Sequence, residues 1–373
     1  MTRLVGLLER KRRVLAELGD RLSSESRARA GADHHSRRRP RPCGMTIHTG
    51  VGCSYVCAYC YIYDMGFSAI PKPYPLEPDE MAYALSLNPY VIPDRTLAAY
   101  GSVTEPFLPE TRARAIEYMR EVWRRLKLPT QVSTKATLTD DIVSGILSGD
   151  PNTSALVTVV TLSNRRLEPR APDPKDRIRF ASEVSARGLA VSLFIRPIIP
   201  GITDVEAADI LRLAANVGVK SIVLGSLRAT ERIIRRLEAC GVNTMEIRER
   251  LTEPIKGAKQ VETKSSDLKA NVSRIAEDFG LKVFRSACEA NIYSHRRYCA
   301  MCHLGPCNIE IGPEPLESGD VEELLEYLGV PYVSVEVNDS TVRVRLKKPR
   351  VDEHLKNLIT TATYRRAIIE TQR

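Results

Sequence analysis

Between residue 45 and about residue 240, short apolar runs alternate with amphipathic stretches. Runs rich in Val, Ile, Leu or Thr at 45–49, 96–102, 130–134, 155–161, 189–195 and 220–226 predict strands. Helical patterns follow each of them, over roughly 77–86, 110–127, 139–148, 174–187, 203–217 and 228–239. Thr139-Asp-Asp and Thr203-Asp204-x-Glu206 read as helix starts, and Gly188, Gly218 and Gly241 as stops. Six strand-then-helix units imply a parallel sheet with right-handed crossovers. The expected fold is therefore α/β, an open partial (β/α)6 barrel over 43–240, with chemistry at the C-terminal ends of its strands.

Three further segments flank this body. Leu4, Leu7, Leu8, Val14, Leu15, Leu18 and Leu22 recur at helical spacing, which predicts an amphipathic helix over 3–23 packed on the body. Arg37-Arg-Arg-Pro-Arg41 then reads as an extended basic strap, because proline disfavours helix on both sides. Residues 241–315 are expected to be a connector, with a helix near 266–279 and a short strand at 281–284, leading to a cysteine-rich cap near the barrel mouth. Residues 316–373 suggest a small α+β tail: a helix at 319–328, strands at 333–337 and 341–346 joined through Asn338-Asp339, and a helical pattern over 351–372.

The loop after the first strand carries the densest chemistry. In Gly50-Val-Gly-Cys53-Ser-Tyr-Val-Cys57-Ala-Tyr-Cys60, three thiols sit three and two residues apart, close enough to chelate one soft metal centre. Three ligands, unlike four, leave a coordination position open when they hold a four-iron cluster. A zinc knuckle or three chance thiols are the competing readings, although a structural zinc usually takes four protein ligands. At these residues, with Tyr59 before the last cysteine, the chain resembles the radical S-adenosylmethionine (SAM) superfamily. That resemblance implies a [4Fe-4S] cluster on Cys53, Cys57 and Cys60 whose open iron chelates SAM. An electron from the cluster then cleaves the sulfonium, and a 5'-deoxyadenosyl radical abstracts a substrate hydrogen. An electron donor such as ferredoxin or flavodoxin is implied as a partner.

The other strand ends extend the resemblance. Tyr100-Gly101-Ser102-Val103-Thr104-Glu105-Pro106 closes the second strand; its glycine lets backbone approach a ligand, and Glu105 offers a carboxylate to an ammonium group. Ser133-Thr134-Lys135 ends the third strand. Leu162 to Pro172, including Glu168 and Arg170, ends the fourth, and Ile195-Arg196-Pro197 begins the end of the fifth. Together these stretches are similar to the spore photoproduct lyase-like subgroup. By that similarity Glu105 would hold the SAM amino group, Ser133 and Lys135 would contact SAM, and Glu168 and Arg196 would line the cofactor or substrate space. A local Glu168–Arg170 ion pair is the plain alternative, and Arg196, if buried, needs a carboxylate partner from SAM or protein. Members of that subgroup return hydrogen from a barrel cysteine, whereas none occurs here between Cys60 and Cys240, so the resemblance does not extend to thymine-dimer repair. Cys240 reads as a small buried residue at a helix end.

Charge and the remaining cysteines refine the picture. Residues 1–42 hold 12 Lys/Arg against 5 Asp/Glu, so +7 of the net +9 lies in the arm and the rest of the chain carries about +2. The arm either contacts nucleic acid or wraps the domain; it has no Phe, Trp or Tyr to stack on bases. Cys288, Cys299, Cys302 and Cys307 form a second group able to complete a closed coordination set. An auxiliary [4Fe-4S] cluster is favoured, with zinc as the alternative, in which His295 or His303 could replace one thiol. No run of about 18 apolar residues suggests a membrane span, and the thiol usage fits a reducing, cytoplasmic setting. The expected function is thus a radical SAM enzyme whose substrate is unknown, with a modified nucleic acid as the leading class. The alternative is an iron-sulfur electron-transfer or sensing protein that leaves SAM intact.

Overall fold

A computed structural model describes residues 2–40, 44–347 and 353–371; Arg41, Cys43, Lys348 and Arg350 lie outside them. The chain opens with α1 (Arg3–Arg21) and α2 (Ser24–Ala32), then β1 (Met45–Ile47). A two-residue pair, β2 (Gly50–Val51) with β3 (Lys72–Pro73), closes the cysteine loop at its neck. The body continues through α3 (Pro78–Leu87), β4 (Ala98–Tyr100), α4 (Arg112–Leu126), β5 (Thr130–Thr134), α5 (Asp140–Leu147) and β6 (Ser154–Thr158). Next come α6 (Pro174–Ala186), β7 (Ala190–Ile198), α7 (Ala207–Asn216), β8 (Ser221–Ser226), β9 (Arg228–Ala229) and α8 (Glu231–Ala239). After α9 (Met245–Glu249) and β10 (Val261–Glu262), which pairs with β9, follow α10 (Ser266–Asp278), β11 (Lys282–Phe284) and α11 (Ala287–Ser294).

The main sheet runs β1-β4-β5-β6-β7-β8-β11, parallel throughout. It is an open partial barrel, as the alternation predicts, but it has seven strands where six were expected. The 281–284 segment pairs with β8, and Leu268, Val272 and Ala276 of α10 join the barrel core. The body therefore runs past residue 240, and the stretch read as a connector is its seventh strand-helix unit.

Strand alternation explains the layering. In β6, Ala155 and Val157 face the helical layer, while Leu156 faces inward and meets Phe194, Val223, Phe284 and Ala290. Ala290 belongs to α11, so this helix fills the concave side of the sheet. Gly188, Gly218 and Gly241 end their helices at φ of 93°, 93° and 82°, as glycine stops do. α7 begins at Ala207, four residues later than the Thr203 signal suggests. Thr203 instead accepts the Ile199 amide (3.1 Å), and Glu206 takes the Thr161 hydroxyl (2.9 Å), so 199–206 is a braced loop at the strand end.

The tail comprises α12 (Ser318–Tyr327), β12 (Tyr332–Val337), β13 (Thr341–Leu346), α13 (Glu353–Thr363) and β14 (Arg366–Thr371). β14 corrects the helical reading of 351–372: Tyr364 at φ 54° turns the chain, and 366–371 pair in parallel with β13. α1 joins tail to body, with Leu4 and Leu7 in the tail core and Val14 and Leu18 in the barrel core. Cations of the arm are bound to other parts of the chain: Arg21 to Asp79 (3.0 Å), Arg3 to Glu314 (2.8 Å) and Arg39 to Glu353 of the tail (2.9 Å). Among the described residues, no helix is long and apolar enough to cross a membrane.

Candidate active site

The cysteine loop leaves the C-terminal end of β1, where parallel sheets place their chemistry. Its path depends on Gly52, at φ 81°; a side chain there would meet the Ser68 carbonyl at 2.6 Å. The Cys53 amide donates to that same carbonyl (3.1 Å), the Ala58 amide to Leu167 O (2.9 Å), and the Cys60 amide to Cys57 O (3.0 Å). From outside the loop, Arg236 of α8 donates to the carbonyls of Ala58 (2.9 Å) and Cys60 (2.8 Å) and pairs with Asp64 (3.3 Å). Tyr63 OH donates to Cys53 O at 2.8 Å. Three thiols on one short segment are thereby held by bonds to their own backbone. Cys57 is buried against Leu167, Ile199, Leu227 and Ile233, and Cys53 and Cys60 are half-buried. Burial pushes the Cys53 thiol up to about 11, with the Glu105 carboxylate adding to the rise; burial also raises Cys57 and Cys60.

A buried polar layer lies beside the loop. Glu105 accepts from Thr134 Oγ1 (2.5 Å), the Lys135 amide (2.8 Å) and the Phe107 amide (3.3 Å). Burial nevertheless raises its pKa, outweighing those donors. Glu168 is fully buried; it accepts the Tyr59 hydroxyl and forms an ion pair with Arg177 of α6, itself 1% exposed. Burial alone would raise the Glu168 pKa, but Arg177 and Lys135 hold it below the usual range. Lys135 is half-buried, its Nζ 5.4 Å from the Tyr59 ring centroid. Burial opposes its charge, yet Cys57 and Glu168 raise its pKa overall.

The structure thus brings together Cys53, Cys57, Cys60, Tyr59, Glu105, Lys135 and Glu168. Half-buried Ser133 sits on the same strand end. Four details differ from expectation. Gly101 (φ 92°) is required because a Cβ would lie 2.2 Å from the Ser133 carbonyl, so the close approach is strand to strand. Glu168 pairs with Arg177, not Arg170, because α6 carries Arg177 on its buried stripe with Ile178, Ala181 and Val184. Arg196 is exposed where burial was entertained, its guanidinium 5.7 Å from the Phe194 ring centroid and its stem lying over Gly225. Sequence reading missed Arg177 and Arg236; a lone arginine on the apolar stripe of α6 was the available signal for the first. Cys240 is half-buried, not buried, with its thiol 3.2 Å from Arg166 O.

The second cysteine group lies at the opposite rim from the mouth, where a cap was expected. Cys299 and Cys307 exchange backbone hydrogen bonds (3.2 and 2.8 Å) and pack on Leu97, which precedes β4. Asn291 of α11 donates to the carbonyl of Pro129, just before β5 (3.2 Å). Burial raises Cys299 to about 12, and Cys307, Cys288 and Cys302 add to it. His295 is committed elsewhere, Nε2 to Asp150 (2.7 Å) and Nδ1 to Asn291 O (2.8 Å), while His303 is exposed.

Comparison with known proteins gives three findings. Residues 47–214 match the radical SAM superfamily. The "Uncharacterized protein ORF301" of Acidianus two-tailed virus is 22% identical over 175 residues, 42% of this chain and 56% of that protein; the match thus spans little more than half of that relative. Two solved structures share the fold. A spore photoproduct lyase variant with bound AdoMet and dinucleoside spore photoproduct aligns at TM-score 0.54 and 16% identity, over 65% of this chain and 76% of that one. A spore photoproduct lyase complexed with dinucleoside spore photoproduct aligns at TM-score 0.53 and 16% identity, over 63% and 74%.

Proposed function

We propose that the protein, whose residues 47–214 match the radical SAM superfamily, carries a [4Fe-4S] cluster on Cys53, Cys57 and Cys60 and cleaves SAM reductively. Bound together, cluster and SAM supply one-electron scission of the sulfonium and, through the 5'-deoxyadenosyl radical, abstraction of a substrate hydrogen. The observation that carries this reading is the buried Glu105 carboxylate, set next to three thiols of one loop at the C-terminal ends of adjacent strands.

The chain's own groups fit those roles. Thiols pushed up by burial are poised to lose their protons only to a metal, whose charge replaces the missing solvation. Arg236 and Tyr63 hold the loop carbonyls, leaving the thiols to the cluster. Among the described residues, Glu105 Oε2 accepts a single donor, the Lys135 amide, which leaves it room for an ammonium group. Gly101, Ser133 and Lys135 form the wall beside it, and Tyr59 and Glu168 position the last turn of the loop. Arg196, exposed on the rim, is placed to meet an anionic part of the substrate.

A nucleic acid is the substrate class favoured by the fold likeness to spore photoproduct lyase and by the basic arm. The absence of cysteine from 61–239 keeps the reading short of thymine-dimer repair. Exposed Met65 and Ile70 on the cluster loop suit docking of an electron donor such as ferredoxin or flavodoxin. Cys288, Cys299, Cys302 and Cys307 would hold a second [4Fe-4S] cluster, or zinc. An electron carrier that spares SAM has no use for the buried Glu105.

Anaerobic reconstitution, dithionite reduction and SAM addition should yield 5'-deoxyadenosine. Cys57→Ala should abolish the product with circular dichroism unchanged. Wild-type protein with a full cluster and no 5'-deoxyadenosine would overturn the proposal.

A further inference from the structure

We infer that His34, His35 and His48 form a binding site for a divalent transition metal, zinc by preference, that ties the N-terminal arm to the neck of the cysteine loop. Their ligand atoms all lie within 4.8 Å of one another. The rings are mutually packed, with centroids 4.0, 5.0 and 5.1 Å apart. His35 is wholly buried, and His34 Nε2 is a buried nitrogen without a hydrogen-bond partner. A ring nitrogen turned inward without a partner is unusual, and a metal would satisfy it.

The surroundings are those of a histidine metal site. His35 Nδ1 is 2.7 Å from Asp33 Oδ1, and Tyr74 OH donates to Asp33 Oδ2 at 2.7 Å. This carboxylate-histidine arrangement commits Nδ1 to Asp33 and leaves Nε2 as the nitrogen with a lone pair to offer. His35 Nε2 now accepts the His48 amide at 3.2 Å, a long bond that ligation would replace. A tetrahedral zinc, with nitrogens at about 2.0–2.1 Å, brings nitrogen pairs to about 3.4 Å, so occupancy requires the rings to close by about an ångström. Arg37 and Arg38 act on His34 as nearby positive charges, and the Asp33 carboxylate opposes them. Water would complete the coordination.

Location gives the site its consequence. His48 and Thr49 enter the loop neck and Tyr74 leaves it, with the Tyr74 amide bonded to Thr49 O at 3.1 Å. Between them β2 and β3 close the segment that carries Cys53, Cys57 and Cys60. Asp33, His34 and His35 come from the arm, held in place by the Asn88 side chain donating to His35 O at 2.8 Å. A metal here would cross-link arm and neck and stiffen the base of the cysteine loop.

The test counts zinc and iron per chain in full-length, cluster-loaded protein after equilibrium dialysis against zinc. Wild type should hold one zinc more than His34→Gln or His48→Ala, with equal iron. His34→Gln replaces a partly exposed ring and spares the core, so it decides the matter should His48→Ala fail to fold. Asp33→Asn should weaken zinc binding about 10–100-fold. Zinc on the C-terminal cysteines would persist in every histidine variant, and iron on the first cluster is read separately, so neither mimics the result. Equal zinc counts in wild type and His34→Gln would overturn the inference.

Discussion

Glu168 and Arg177 show how much a single buried pair governs here. Removing one partner of a buried ion pair leaves an uncompensated charge, at a cost of about 3–5 kcal/mol. Arg177→Leu is therefore expected to lower unfolding free energy by that order in urea denaturation. The same pair sets a pH response. Because burial raises the Glu168 pKa and Arg177 with Lys135 more than reverse it, the folded value lies below the unfolded one. Its stabilisation is present above the unfolded value of about 4.3 and is lost as pH falls through the folded value. In Arg177→Leu the acid limb should flatten or invert, which urea midpoints measured between neutral and acidic pH will show. At this scale the cysteines and Glu105 were legible, because loop spacing and strand-end position are local. Arg177 was not, since its partner lies on a different element.

At the scale of elements, α11 is the decisive piece. It fills the concave face of the sheet through Ala290 and places the second thiol group at the rim where strands begin. The two cysteine groups therefore stand at opposite ends of the barrel. Cys299→Ala with Cys302→Ala should change the metal count per chain while 5'-deoxyadenosine formation persists; loss of that product together with the metal would place both groups in one reaction path. Cysteine spacing carries no information on which rim the segment packs against; the contacts of Cys299 and Cys307 with Leu97 and of Asn291 with Pro129 decide it. Similarly, the seventh strand was visible as an apolar run at 281–284, but its partner β8 was not. Ala367, Ile368 and Ile369 suit helix and strand alike, and pairing with β13 makes 366–371 the strand β14.

For the whole molecule, α1 is the shared brace. Leu4 and Leu7 complete the tail core, and Leu18, 0% exposed, completes the barrel core. Leu18→Ala should cost about 2–5 kcal/mol. The barrel and tail transitions, followed together in thermal unfolding, should both move to lower temperature. A shift confined to the barrel would mean that α1 does not couple them. Some of the arm's cations are directed at acids elsewhere in the chain, Arg21 at Asp79, Arg3 at Glu314 and Arg39 at Glu353, while others are not. This is why charge counting alone could not distinguish a nucleic-acid arm from a wrapping one.

By itself the amino-acid order determined the strand-helix alternation, the amphipathic arm and the three-thiol loop at the end of the first strand, since each rests on periodicity or spacing within a few residues. Only the tertiary structure decided the seventh strand, the pairing of Glu168 with Arg177, the far-rim position of the second cysteine group and the meeting of His34 and His35 with His48. Those depend on which surfaces bury one another, and burial between residues distant in the chain leaves no periodic trace along it.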